Sequence, residues 1–262
     1  MGLRPIFNNN NHDDEDLGYC PNHPNEKLRR GFLGKPRCYQ CDYETLMRMG
    51  KEFDRKVAGQ MQASKLEEES LADNRLVFKA TFDNFRADPG TKEEWLRNKI
   101  FMAAQDLVAN PQKACTMILT GPPGAGKTHL AMAALKYVQS KGGQNCLFIN
   151  INTLLSHIKS SFNDPTEFWT ESKAIAKMRG ADLLCIDDLG TESAMASTGE
   201  ATNFVQNILY KTLDSQQRVI ITTNLSEEKM KQVYNAKNVS RVFKHSYGTK
   251  YDFSGIKDKR RG

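Results

Sequence analysis

The chain reads as an α/β protein, a parallel sheet covered by helices with a small zinc-binding domain in front, and three observations predict this. From Arg75 onward short apolar runs alternate with helix-forming stretches, the pattern of a parallel sheet buried on both faces. One run, Thr116-Met-Ile-Leu-Thr120, leads straight into Gly121-Pro-Pro-Gly-Ala-Gly-Lys-Thr128, and helix formers follow. Ahead of this region stand Cys20-Pro-Asn-His23 and Cys38-Tyr-Gln-Cys41, two pairs of soft metal ligands in a stretch too short to have much core.

Taken in order, residues 1–18 read as a disordered leader, with the acidic cluster Asp13-Asp-Glu-Asp16. Residues 19–45, punctuated by Pro21, Pro24, Gly31, Gly34 and Pro36, form a loop-rich zinc-binding module. Residues 46–74 are polar and helix-prone and read as a helical linker. Residues 75–262 are the α/β domain. Within it a helix is expected over about Lys92–Val108, then the first strand and a helix after the glycine-rich loop. Cys146–Asn150 is the second strand, with helices around Asn152–Phe162 and Thr166–Arg179. Asp182–Asp187 is the third strand, and a helix over about Glu200–Leu213 leads to a strand at Arg218–Thr223.

Composition narrows the class of protein. Hydrophobic residues are 39% and charged ones 26% of 262 residues, the balance of a soluble domain. No run approaches the ~18 apolar residues of a membrane span, and the N-terminus lacks the apolar core of a signal peptide, so a cytoplasmic location without membrane contact is expected. The net charge of +6 alone says little about nucleic acid. The basic residues near the end, Lys244, Lys250, Lys257, Lys259, Arg260 and Arg261, fit either a phosphate-contacting surface or a solvated tail. Cys115, Cys146 and Cys185 lie in or beside apolar runs and read as buried, reduced thiols.

The glycine-rich loop has the form G-x-x-x-x-G-K-[ST], which binds nucleotide phosphates. Gly121, Gly124 and Gly126 let the backbone turn and aim N–H groups at phosphate oxygens. Lys127 reaches the β- and γ-phosphates, and the Thr128 hydroxyl ligates Mg²⁺. Pro122, Pro123, Ala125 and the adjoining His129 complete the expected nucleotide-binding set. The helix that opens here adds the favourable end of its dipole. Leu183-Leu-Cys-Ile-Asp187-Asp188 is an apolar strand that ends in two carboxylates, Asp187 to hold Mg²⁺ and Asp188 to polarise an attacking water. Val219-Ile-Ile-Thr-Thr-Asn224 ends in an amide able to orient that water, or simply to terminate the strand. Arg241, on an expected helix, and Arg260 are candidate guanidinium donors to a γ-phosphate.

Cys20, His23, Cys38 and Cys41 form C-x2-H and C-x2-C pairs fourteen residues apart, matching a tetrahedral structural Zn²⁺ site. Free cysteines or a redox pair do not account for the second, matched pair. His12 is a competing ligand in the asparagine-rich leader.

Together these residues resemble the DnaC/DnaI family of replicative helicase loaders, within the AAA+ ATPases. The resemblance rests on the zinc module, the segment Phe78-Lys-Ala-Thr-Phe-Asp-Asn-Phe85, GPPGAGKTHLA at 121–131, LLCIDDLG at 183–190, ITTNL at 221–225 and the ending Tyr251-Asp-Phe-Ser-Gly-Ile-Lys-Asp-Lys-Arg260. It implies that Lys127 and Thr128 are Walker A residues, Asp187 and Asp188 the Walker B pair, and Asn224 sensor 1. It implies that Arg241 is an arginine finger and Arg260, or its neighbour Arg261, sensor 2. Only 38 residues follow Asn224, so a truncated lid is expected. The closing segment lacks the aromatics of the DnaC branch and looks more like the DnaI branch.

The resemblance further implies ATP with Mg²⁺ as cofactors, slow regulatory ATP hydrolysis and self-association through the ATP sites. It implies a hexameric replicative DNA helicase gripped by the N-terminal domain, and single-stranded DNA as a second partner. The stretch Ile158-Lys-Ser-Ser-Phe162 falls where the family carries a DNA-contacting insertion, although Phe162 also fits a core position. The principal alternative is an IstB-like helper ATPase of DNA transposition. A processive motor would need an added motor domain. A small-molecule kinase would need a closing lid with arginines, and Asp-Asp with a downstream Asn suits attack by water better.

Overall fold

The computed structural model describes residues 16–31, 34–195 and 200–259. The chain divides into two compact units, Met1–Ala58 and Gly59–Gly262.

In the first unit two short hairpins precede a helix. β1 (Tyr19–Cys20) pairs antiparallel with β2 (His23–Lys27), and β3 (Arg29–Arg30) pairs antiparallel with β4 (Pro36–Arg37). α1 spans Tyr39–Glu69, so its residues up to Ala58 belong to the first unit and those from Gly59 to the second. It therefore starts inside the stretch expected to be loop, because Cys38-Tyr-Gln-Cys41 turns directly into the helix and places Cys41 in its first turn.

The second unit is a five-stranded, all-parallel sheet. Its strands are β5 (Cys115–Thr120), β6 (Cys146–Asn150), β7 (Leu183–Leu189), β8 (Arg218–Thr223) and β9 (Lys250–Asp252), in the order β6-β7-β8-β5-β9. Its helices are α2 (Lys92–Ala109), α3 (Lys127–Gly142), α4 (Ile151–Ser160), α5 (Glu171–Gly180), α6 (Asn203–Ser215), α7 (Glu227–Val233) and α8 (Ala236–Val242).

The apolar strands serve two cores at once, as side chains alternate across the sheet. Val219 and Ile221 pack on one face with Leu184 and Ile186. Ile220 packs on the other with Cys185, Met117 and Leu119. Continuous apolar runs such as Leu183–Ile186 follow from this, since neither face meets water.

Two pieces of the sheet fall outside the strands expected from the sequence. Leu71, in the expected linker, forms a parallel bridge with Ile149; its N–H donates to Phe148 O (2.9 Å), and Asn150 N–H donates to Leu71 O (2.7 Å). At the other edge β9 pairs with β5. Only Tyr251 of its three residues is buried, too little for an alternation signal. Thus the basic C-terminal stretch is not simply a solvated tail: Tyr251, Phe253 and Ile256 are core residues.

Candidate functional site

The site lies at the C-terminal ends of β5, β7 and β8. β5 delivers the chain to Gly121, whose φ of +139° is open to glycine and where a Cβ would stand 2.8 Å from Phe253 Cβ. α3 then begins at Lys127 behind Gly126 (φ +95°). A side-chain oxygen from Thr91, Asn150, Thr170, Thr202, Ser226 or Asn235 caps the start of each of α2 and α4–α8, whereas α3 has no side-chain cap. The first N–H groups of α3 are thereby left for a ligand, and the helix dipole makes that ligand an anion.

Lys127 is 5% exposed. Its Nζ donates to Gly121 O (2.7 Å), Pro122 O (2.8 Å) and Asn224 Oδ1 (2.8 Å). Thr128 Oγ1 donates to Asp187 Oδ1 at 2.8 Å, and Thr222 Oγ1 donates to the same oxygen at 2.7 Å. Asn150 Nδ2 lies 3.4 Å from Asp187 Oδ2. Burial pushes the Asp187 carboxyl up to about 6, helped by the charge of Asp188 and opposed by these three side-chain hydrogen bonds. A hydroxyl and a buried carboxylate in contact form an oxygen donor set that suits a hard divalent cation.

Asp188 adopts φ +58°, at a register break between β7 and β8, with its N–H donating to Thr222 Oγ1 at 2.9 Å. The left-handed turn, tolerated by aspartate, brings Asp188 to the wall of two adjoining clefts of ≈ 370 and ≈ 440 Å³. Both clefts are also lined by Thr128, His129 and Asn84, and the larger includes Lys127, Asn224 and Lys259. His129 Nε2 donates to Thr81 O at 2.9 Å, and burial keeps its pKa below the ordinary histidine value, so the ring is neutral. His129 therefore ties the segment before α2 to the loop helix while lining the cleft.

The structure thus brings Gly121, Gly124, Gly126, Lys127, Thr128, His129, Asp187, Asp188 and Asn224 together. Arg241 lies elsewhere. On α8, its Nε and Nη2 donate to Asp214 Oδ1 (3.1 and 2.6 Å), its Nη1 donates to Lys237 O (3.0 Å), and its guanidinium stands 4.1 Å from the Tyr210 ring centroid. Arg260 and Arg261 lie outside the described residues, as does His12. Phe162 is 66% exposed, with its ring 6.1 Å from Phe204, so it is not a core residue.

Asn150, Thr222 and Asn84 were missed from the sequence, and Lys259 stood out only as one of the basic residues near the end. Thr222 carried a signal, a polar side chain directly after the apolar run Val219–Ile221. The basic character of Lys259 showed, but its place beside the loop did not, since only β9 and the turn after it bring it there.

In the first unit Cys20, His23, Cys38 and Cys41 place their ligand atoms within 4.8 Å of one another. Cys20 Sγ and Cys41 Sγ are 3.5 Å apart, and His23 Nδ1 is 3.8, 3.6 and 3.3 Å from the sulfurs of Cys20, Cys38 and Cys41. A tetrahedron with bonds of about 2.0–2.3 Å has edges of about 3.3–3.8 Å, so the four donors fit a zinc ion. His23 Nε2 lies 3.1 Å from Glu44 Oε1, an outer carboxylate that fixes the tautomer presenting Nδ1 inward.

Residues 49–243 match the family model described as IstB-like ATP binding protein. The chain belongs to the IstB-like ATP-binding protein family. The chain is similar to the replicative helicase loader DnaC of Buchnera aphidicola subsp. Baizongia pistaciae, 30% identical over 118 residues, 45% of each chain. The chain thus spans about half the length of that relative. Among solved structures the DnaC helicase loader superposes with a TM-score of 0.52 at 21% identity, covering 70% of this chain and all of that one. DnaI superposes with a TM-score of 0.54 at 19% identity, covering 76% of this chain and 99% of that one. The fold is therefore that of an AAA+ P-loop domain, and the DnaC/DnaI resemblance read from the motifs is borne out. No helix among the described residues is long and apolar enough to cross a membrane.

Proposed function

We propose that the protein is an ATP-dependent helicase loader, which binds a hexameric replicative DNA helicase and delivers it onto single-stranded DNA. The carrying observation is the convergence of Lys127 with Asn224, and of Thr128 with Asp187, in a chain led by a four-ligand Cys/His cluster. ATP binds with its phosphates over Gly121–Thr128, where Lys127 exchanges the two loop carbonyls for phosphate oxygens. Thr128 and Asp187 would hold Mg²⁺, which supplies charge neutralisation of the phosphates when bound. Asp188 accepts the proton of the attacking water and Asn224 orients that water. Arg241 bonds Asp214 and Lys237 O, neither of which lines the cleft around Lys127, and this agrees with a role at a neighbouring chain's ATP site on self-association. The zinc module grips the helicase, and exposed Phe162 with Lys159 contacts single-stranded DNA. Hydrolysis is slow and regulatory.

The experiment is light scattering after size exclusion, with the chain mixed with its host's replicative helicase, with and without ATP. A discrete complex of helicase with several copies of this chain supports loading. No complex in either condition, with DNA-stimulated ATPase intact, moves the reading to an IstB-like helper ATPase of DNA transposition.

A further inference from the structure

β7 leaves its ladder at the two carboxylates. Ile186 pairs with Ile221 and Leu189 with Thr223, so Asp187 and Asp188 stand together opposite Thr222 alone, a β-bulge. The Thr222 hydroxyl serves both, donating to Asp187 Oδ1 at 2.7 Å and accepting the Asp188 N–H at 2.9 Å. The chain beyond stays irregular, with φ of +58° at Asp188 and +99° at Gly190. Side chains hold the backbone groups that the ladder does not. Thr223 Oγ1 donates to Leu189 O (2.7 Å), Thr191 Oγ1 donates to Asp188 O (2.7 Å), and Asn152 Nδ2 donates to Thr191 Oγ1 (2.7 Å).

One further contact reaches across to another element. Glu192 accepts the Gly190 N–H on Oε2 at 2.8 Å and the Tyr234 O–H on Oε1. Tyr234 is 3% exposed at the C-terminal end of α7, and α7 begins at Glu227, the third residue after Asn224. Gly190 also packs on Leu225, the residue directly after Asn224, where a Cβ on the glycine would stand 2.3 Å from Leu225 Cδ1. The turn after Asp188 is thus joined at two points to the segment that follows Asn224. Burial raises the pKa of Glu192 and of Tyr234, and the Glu192 charge raises the phenol further, so the phenol stays protonated and donates. A polar pair withdrawn from water in this way fixes one arrangement of its neighbours, because a shift of either segment leaves both groups unpaired.

We propose that Glu192 and Tyr234 are positioning residues for ATP hydrolysis: their hydrogen bond ties the turn after Asp188 to the helix after Asn224 and sets the spacing of those two side chains across the attacking water. Neither residue lines either cleft, so each acts through Asp188 and Asn224. Their role rests on the reading of Asp188 as the base and of Asn224 as the amide that orients the water. A water held between groups on two separate segments reacts at a rate set by the spacing of those segments, and a displacement on the order of 1 Å costs up to about 10²-fold. Pairing of β7 with β8 cannot set that spacing alone, because the bulge interrupts it at Asp188. The Glu192–Tyr234 clasp supplies it from side chains.

The test is single-turnover ATP hydrolysis by the full chain, held in excess over ATP with Mg²⁺, and a separate calorimetric Kd for ATP. Tyr234→Phe keeps the ring in the core and removes only the donated O–H. It should slow hydrolysis by about tenfold and leave Kd within about twofold. Glu192→Ala should be at least as slow. Glu192→Gln should run faster than Glu192→Ala, because its amide can accept the Gly190 N–H and donate to the Tyr234 oxygen. Adding Tyr234→Phe to Glu192→Ala should slow hydrolysis no further, since the two act as one pair. Tyr234→Phe decides alone should Glu192→Ala fail to fold. An unchanged rate in Tyr234→Phe, or a loss of ATP affinity that matches its loss of rate, overturns the clasp, and so does a double variant whose losses multiply. Slow hydrolysis by Asp188→Asn in the same assay then leaves the catalytic reading standing. An Asp188→Asn chain as fast as wild type, or a wild-type chain that hydrolyses no ATP, overturns that reading and the clasp with it.

Discussion

Lys127 and Asn224 meet at 2.8 Å, Nζ to Oδ1, joining the helix after β5 to the end of β8 across the mouth of the cleft. The two strands are direct neighbours in the sheet, and Thr120 is in register with Thr223, so the loop and the amide are held together by backbone pairing. Asn224 is thus fixed at the reacting end of the site. Asn224→Ala should lower kcat for ATP hydrolysis by roughly tenfold or more while changing ATP affinity little, since its gain is realised after binding. Steady-state kinetics with a separate Kd measurement checks this. An unchanged kcat would remove Asn224 from the chemistry.

Lys127→Ala removes the ammonium that now satisfies Gly121 O and Pro122 O. Both carbonyls lie at the mouth of the site, where water can replace the lost donor, so the fold should survive. ATP binding should become undetectable by calorimetry while the thermal midpoint stays within a few degrees. Retained affinity in the folded variant would sink the loop assignment.

The Cys/His cluster predicts a metal stoichiometry. Purified protein should carry one zinc per chain by elemental analysis, and Cys38→Ser with Cys41→Ser should lose it. Glu44→Gln is the finer probe. It keeps all four donors but weakens the outer contact to His23 Nε2, so zinc affinity should fall by about 10-fold, at the low end of such outer contacts. An unaltered affinity would show that Glu44 does not orient the ring.

Phe148 reports on the second unit. It is 1% exposed in β6, and its ring stands 6.4 Å from that of Phe78 in an edge-on contact. Phe148→Ala should destabilise this unit by about 3–5 kcal/mol, through lost burial and the cavity left behind. Urea unfolding followed by circular dichroism measures it, and a loss below about 1 kcal/mol would mean that the site collapses.

What the sequence disclosed and what it hid divide along chain separation. The phosphate loop, the Asp187-Asp188 pair and the two ligand pairs were legible because their geometry is set by residues a few positions apart. β5, β6, β7 and β8 were legible because each is a continuous apolar run. The Thr222 contact to Asp187 joins residues on adjacent strands, so the sequence shows the polar residue but not its partner. Leu71 and β9 extend the sheet in stretches too short for periodicity, and the extension by β9 is what brings Asp258 and Lys259 to the loop. The sequence shows Asp188 at the end of an apolar strand with a role on the attacking water, but not the left-handed backbone that turns it into the cleft.

Arg241 gives the sharpest test of assembly. Three of its five guanidinium donors are engaged within its own chain, two by Asp214 and one by Lys237 O, and its face is stacked on Tyr210. None of these partners belongs to the cleft around Lys127. If the guanidinium serves a neighbour's γ-phosphate, Arg241→Ala should leave ATP affinity unchanged and lower hydrolysis by on the order of 10²-fold or more in the assembled state alone. Arg241→Lys should not restore it, because an ammonium lacks the planar fork. Mixing supplies the decisive arm. Arg241→Ala chains keep an intact loop, and Lys127→Ala chains keep an intact arginine, so a mixture should form composite sites and recover part of the activity that each lacks alone. Recovery in the mixture, measured as phosphate release against total protein concentration, requires the arginine to act between chains. A mixture no more active than its components would place Arg241 in the fold of α6 and α8 instead, as the anchor of their packing.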